Sequence, residues 1–265
     1  MNSAALIAHQ VKYENKAYWR NPRAAVFTVA FPLMFLVIFA SLQNTSKISF
    51  LPGVNYNQYF VPAIGTYGIV MACYANLGIN TAIKRDAGIF KRLQGTPLPS
   101  FALISGMVVL AFFLALIIFA VTIAVGVLFY GVTMTSQVLQ LILVLALGAF
   151  CFCALGIAVG NLIPNAEAAP AIINFVILPV LFISGVFYPI DNDSTIAHVA
   201  SWLPVRPLVS QTTQLFMPSS VTVDGGRVVH YANGLDGGDL LTLVIWTAVG
   251  LYLAITKFRW EPHRS

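Results

Sequence analysis

Charge is scarce in this chain of 265 residues: only 9% are Asp, Glu, Lys or Arg, while 58% are hydrophobic. A soluble domain carries about 25% charged residues, so this balance, with a mean hydropathy of +0.84, excludes that class and indicates a polytopic membrane protein. No G-x-x-x-x-G-K-[ST] loop occurs, so the chain has no recognisable ATP site and is not expected to be an enzyme by itself. No G-x-S-x-G elbow supports a serine nucleophile. His9, His198, His230 and His263 stand at no metal-ligand spacing, and no cofactor is expected on this chain. Cys73, Cys151 and Cys153 fall inside apolar runs and read as small buried hydrophobes. Ion-coupled carriers place Asp, Glu, His or Lys within their spans. Here Glu167 lies at the start of one span and the others hold essentially none, which favours an external energy source.

Long uncharged runs are what the chain does have. A helix crosses about 30 Å of hydrocarbon with roughly 20 residues, and six such spans are predicted at about 24–42, 59–82, 102–129, 138–162, 169–187 and 240–256. The third to fifth lack charged boundaries, because no Asp, Glu, Lys, Arg or His lies between Arg92 and Glu167. They are divided at 130–137 and 161–165, where Gly, Pro and Asn break helices. With both termini inside, eleven of the fourteen Lys and Arg residues are cytoplasmic, leaving Lys47, Arg206 and Arg227 outside. That asymmetry predicts a multi-pass protein of the cytoplasmic membrane, and lipid headgroups account for the net charge of +5 without a nucleic-acid partner. The whole chain, 1–265, reads as a single transmembrane domain.

Two segments outside the spans are organised. Residues 1–23 lack the layout of a cleaved secretory leader and are expected to be retained. His9, Lys12, Lys16 and Arg20 share one helical face, with Ala4, Ile7, Val11 and Tyr18 opposite, as in a helix lying along the inner leaflet and ending at Asn21-Pro22. A solvated, partly helical tail is the alternative. The outer loop, 188–239, begins with an amphipathic stretch, Ile196–Leu203, expected to dip into the outer leaflet as a re-entrant segment and to stop at Pro204 and Pro207. Its second half, Val221–Tyr231, alternates around Asp224-Gly225 and predicts a hairpin.

The spans also carry neutral polar and aromatic groups. Asn76 and Asn80 share a face with Cys73, and Asn174 precedes Phe175, Phe182 and Ser184. These residues either line a path for an amphipathic molecule or bond helix to helix, at about 0.6–2 kcal/mol per contact. Gly156 and Gly160 form a G-x-x-x-G pair typical of close helix packing.

One segment between two spans is basic, with Lys84, Arg85, Lys91 and Arg92 inside nine residues, accompanied by Ile89, Phe90 and Leu93. The apolar side chains suit a groove on a partner and the cations suit acidic rims or headgroups; a solvated positive-inside loop is the plain alternative. The run Arg85-Asp-Ala-Gly-Ile-Phe-Lys-Arg-Leu-Gln-Gly-Thr-Pro-Leu-Pro99 resembles the first cytoplasmic loop of type-2 ABC exporter permeases. Leu178–Pro189, followed by Trp202-Leu-Pro204 and Pro207, is similar to that family's fifth span and outer re-entrant segment. The resemblance implies an all-α permease of six spans that pairs with a second copy or close paralogue and with a separate ABC ATPase, which binds ATP and Mg. Loop 84–99 would be its coupling helix, with Lys84, Arg85, Asp86, Gly88, Ile89, Phe90, Lys91, Arg92, Leu93, Thr96 and Pro97 as the coupling residues. The family commonly has a glutamate one or two residues ahead of the glycine, where this chain has Asp86 and Ala87. Within the family the chain most resembles drug and antibiotic efflux permeases, implying an amphipathic drug-like or lipid-like substrate. An assembly or sensor subunit, and an ATP-independent channel or carrier, are the rival classes.

Overall fold

The computed structural model describes residues 3–20, 22–43, 48, 51–95, 100–191, 193–222, 227–231 and 233–256. Its centre is one long rod made of α3 (Tyr56–Val70), a π-helical turn (Met71–Asn76) and α4 (Leu77–Asp86). Every residue of α3 is buried, the polar Asn57, Gln58 and Thr66 included. Around the rod stand α2 (Pro22–Leu42), α6 (Ser100–Tyr130), α7 (Val138–Leu162) and α8 (Ala169–Ile183), and α11 (Gly237–Thr256) packs on the far side of α7. Among the described residues four helices are long and apolar enough to cross a membrane, at 56–86, 101–130, 138–162 and 237–256; Val26–Leu42 and Ala169–Ile183 are shorter apolar helices. Among the described residues the fold is thus all-α apart from one small hairpin, with up to six candidate spans.

Small residues let the helices approach. A Cβ on Gly156 would stand 2.6 Å from the Cys73 carbonyl oxygen, and one on Gly160 would stand 2.5 Å from that of Gly78. The G-x-x-x-G pair therefore seats α7 directly on the backbone of the π turn and α4, where any side chain would force them apart.

The fifth predicted span, 169–187, is shortened in the structure. Its helix stops at Ile183, because Ser184 caps it and Gly185 turns left-handed at φ 82°. The 15 residues of α8 rise roughly 22 Å, less than a full hydrocarbon crossing. The amphipathic stretch beyond it also differs from expectation. Residues Thr195–Ser201 form a short helix, α9, with Ile196 and Val199 exposed. The deeply buried segment is α10 (Val205–Phe216), packed on α3, α7, α8 and α11. Pro207 does not stop it, since a proline in the first helical turn gives up no intrahelical bond.

The basic face of α1 (Ser3–Trp19) is exposed at His9, Lys12 and Lys16, while Ile7, Val11 and Tyr18 are half-buried; the helix packs mainly on α6. A hairpin of β1 (Ser220–Thr222) and β2 (Val228–His230) pairs Ser220 with His230 and Thr222 with Val228. Asp224 and Gly225, expected at the turn, lie outside the described residues. Tyr231 donates its hydroxyl hydrogen to the Pro52 carbonyl, and desolvation pushes its pKa up.

Candidate functional site

The basic loop begins where α4 ends. Gly88 takes φ 67°, and its N–H donates to the Arg85 carbonyl at 2.9 Å, closing the helix with a left-handed glycine before α5 (Ile89–Gln94) starts. The turn redirects the chain, and the loop residues part company. Arg85 is 0% exposed. Its Nη1 donates to the carbonyls of Gly160 at 3.1 Å and Asn161 at 2.7 Å, and its Nη2 donates to that of Ile163. These oxygens end α7, where carbonyls lack intrahelical partners and the helix dipole is negative, so a cation is well placed. The expectation that Arg85 meets an acidic rim or headgroups is corrected: the guanidinium completes the end of a neighbouring helix.

Asp86 bonds to the same neighbourhood, accepting from the Ala166 N–H at 3.0 Å. Phe90, expected to fill a partner's groove, is 1% exposed and belongs to the chain's own core. Leu93 is half-buried against that core. Ile89, Lys91 and Arg92 remain at the surface, joined by Ile83 at the end of α4. Thr96 and Pro97 lie outside the described residues.

Lys84 turns toward α1. Its Nζ donates to both Glu14 carboxylate oxygens at 2.6 Å, and Gln10 donates to Oε1 at 3.1 Å. Sequence reasoning missed Glu14, although the signal was present: it is the one acid in residues 1–23 and falls in phase with Ile7, Val11 and Tyr18 on the apolar face.

Two cavities adjoin the π turn. One, of about 200 Å³ between α1, α4 and α6, is bordered by the Glu14–Lys84 pair, Tyr18, Asn76, Asn80 and Met107. The other, of about 290 Å³ between α2, the π turn and α8, is lined by Phe27, Phe31, Asn76, Ile79 and Asn174. Asn76 borders both, at the end of a π turn, a feature frequent at functional positions. Asn80 donates to the Asn76 side-chain oxygen at 2.5 Å and to its carbonyl at 2.9 Å, and Asn174 donates to the Pro170 carbonyl at 2.8 Å.

Of the remaining expected path residues, Phe175 is 81% exposed on α8, and Phe182 is exposed and packs its ring 5.0 Å from that of Phe187. Cys73 and Ser184 depart from expectation. Cys73 is buried between α6 and α7, its thiol 3.8 Å from the Ala111 carbonyl, and borders neither cavity. Ser184 is buried and donates back to the Val180 carbonyl at 2.5 Å. An aromatic ladder runs along α2. Phe27, Phe31, Phe35 and Phe39 recur every four residues along α2, and Phe35 lies 5.6 Å from Phe187 and 6.1 Å from Tyr67. The spacing is plain in the sequence, but nothing there says that this face of α2 meets Tyr67 and Phe187.

The far end of α8 is held by a second buried arginine. Arg206 donates to the Ile190 carbonyl at 3.3 Å and to that of Ser184 at 3.5 Å, while the Tyr59 hydroxyl donates to the Gly185 carbonyl at 2.8 Å. Among the described residues no three His, Cys, Asp or Glu side chains are grouped to hold a metal ion.

No curated protein matches the chain. The ABC-2 type transporter family matches residues 6–217, from α1 through α10, and so covers well over half of the sequence. With several apolar helices of membrane-crossing length, this is a membrane-embedded transporter domain, and the chain belongs to the ABC-2 type transporter family.

Proposed function

We propose that this chain is the permease subunit of an ATP-driven exporter that moves an amphipathic, drug-like or lipid-like molecule outward across the cytoplasmic membrane. It works as a pair with a second copy or a close paralogue, and a separate ABC ATPase binds ATP and Mg. The observation that carries the reading is the cavity between α2, the π turn and α8. It sets two neutral carboxamides, Asn76 and Asn174, against the rings of Phe27 and Phe31. Such a site offers hydrogen bonds to a polar head and apolar area to a hydrophobic body without a charge that would have to be neutralised. The exposed apolar residues of α2 and α8, Phe27 and Phe175 among them, suit packing against the second copy.

The basic loop supplies the drive. ATP binding closes the ATPase pair, and α5 moves with it through Ile89, Lys91 and Arg92. The first, second and fifth spans of the two facing permeases then open a route outward. The absence of Asp, Glu, Lys, Arg and His between Arg92 and Glu167 supports an energy source outside the chain.

The test is purification from native membranes in mild detergent, comparing wild type with Lys91→Glu/Arg92→Glu. An ABC ATPase is expected with the wild type and not with the variant. Recovery of a stable complex that hydrolyses no ATP would favour an assembly or sensor subunit. Movement of substrate by the chain alone, without nucleotide, would favour a channel or carrier.

A further inference from the structure

Two adjacent residues at the end of α4 turn inward: Arg85 grips the last turn of α7 and the start of its connection to α8, and Asp86 grips that connection further on. Arg85 is fully buried and donates to the carbonyls of Gly160, Asn161 and Ile163, while Asp86 accepts from Ala166 N–H. The connection is itself stiff. The Asn165 side chain accepts from Ala168 N–H at 2.8 Å, and α8 begins at Ala169, three residues beyond the Asp86 contact. The helices also interlock further along: a Cβ on Gly78 of α4 would stand 2.8 Å from Ile173 Cδ1 of α8. On the other side of Arg85, only Ala87 and Gly88 separate α4 from α5.

We infer that Arg85 and Asp86 form a rigid joint that carries movement of α5 into α8, making the fifth span the element the loop drives. The inference rests on the permease reading above and adds to it the positioning residues and the span they move. Arginine suits the task because its planar fork donates in several fixed directions at once, whereas a lysine ammonium is a single rotatable point. Three carbonyls around one guanidinium fix position and angle together. A push on the exposed side of α5 therefore turns the α7–α8 connection with it instead of sliding past. The opposite end of α8 is held by Arg206 and Tyr59, so displacement at one end tilts the helix about the other.

The experiment uses the permease with its co-purified ATPase in vesicles and reads substrate exported per ATP hydrolysed. Arg85→Gln is expected to keep the ATPase bound and hydrolysing while this ratio falls about tenfold, within the range by which single residues on a coupling route act. Restoring the joint covalently should rescue it. With Asp86→Cys and Ala166→Cys added, oxidation is expected to return export toward the wild-type ratio, and reduction to abolish it again. A wild-type ratio in Arg85→Gln would overturn the joint, as would an oxidised bond that blocks export in an otherwise wild-type chain, because loop and span would then have to move separately. Should Arg85→Gln fail to assemble, Arg85→Lys decides: it is expected to lower the ratio with the complex intact, and an unchanged ratio would overturn the inference. A wild-type chain that recovers no ATPase and exports nothing with ATP would sink the permease reading instead.

Discussion

Gly88 and Gly185 both take left-handed φ values, 67° and 82°, yet they stand in different surroundings. Around Gly88 nothing lies within 4 Å of a built Cβ, whereas at Gly185 the Arg206 guanidinium is 2.5 Å away and the Tyr59 hydroxyl 2.8 Å. Gly88→Ala should therefore cost only the backbone strain, about 1 kcal/mol. Gly185→Ala adds a steric conflict with the two donors that hold the end of α8, and about 3 kcal/mol is expected. Thermal unfolding of the two variants in the same detergent checks the order. The same scale explains why the loop's inner face was hidden from sequence. Arg85, Lys91 and Arg92 are equivalent there, three cations in one basic run; only the fold shows that the open carbonyls of α7 claim the first and leave the others at the surface. Glu14 is the converse, legible as an acid on an apolar helical face once its phase is counted.

Among the elements, α2, the π turn and α8 define the chemistry of the larger cavity. Asn76→Ala removes a polar group shared by both cavities, and Phe31→Ala removes an aromatic wall that meets Phe35 at 5.0 Å. Each is expected to weaken stimulation of the partner's hydrolysis by substrate about three- to tenfold, from losses of about 0.6–1.5 kcal/mol. Phe129→Ala, exposed on α6 away from both cavities, should leave it unchanged. Helix placement was readable because in lipid each backbone group must be satisfied within its own helix, which demands long uncharged runs. The third and fourth runs, expected at 102–129 and 138–162, correspond to α6 (100–130) and α7 (138–162). That rule lapses where a segment is buried in protein. Residues 205–216 hold an arginine, a proline and several Thr and Gln residues, so hydropathy passes over them, yet α10 is among the most buried helices. Its polar groups are satisfied internally; Thr212 and Thr213, for example, donate to the Leu208 and Val209 carbonyls at 2.7 and 2.8 Å.

At the scale of the whole molecule, the proposed topology puts α5 and the hairpin on opposite sides of the membrane. The native cysteines are all buried, which leaves a quiet background for labelling. With both termini inside, Lys91→Cys should react with an impermeant thiol reagent only in inverted vesicles, and Arg227→Cys only in right-side-out ones. The α1 helix is fastened to the loop's first cation by the Glu14–Lys84 pair, so the amphipathic helix, the loop and the α7–α8 connection form one assembly at the loop end of the bundle. That assembly is where an outside energy source would act on a chain with no ATP motif of its own. The most direct test is reconstitution of the purified chain with its co-purified ATPase in inverted vesicles, following uptake of a fluorescent amphipathic dye. Uptake that requires ATP, Mg and the ATPase together, and that Lys91→Glu/Arg92→Glu abolishes, is the expected result. Dye movement by the chain alone without nucleotide, or none when a hydrolysing ATPase is bound, would contradict the exporter reading.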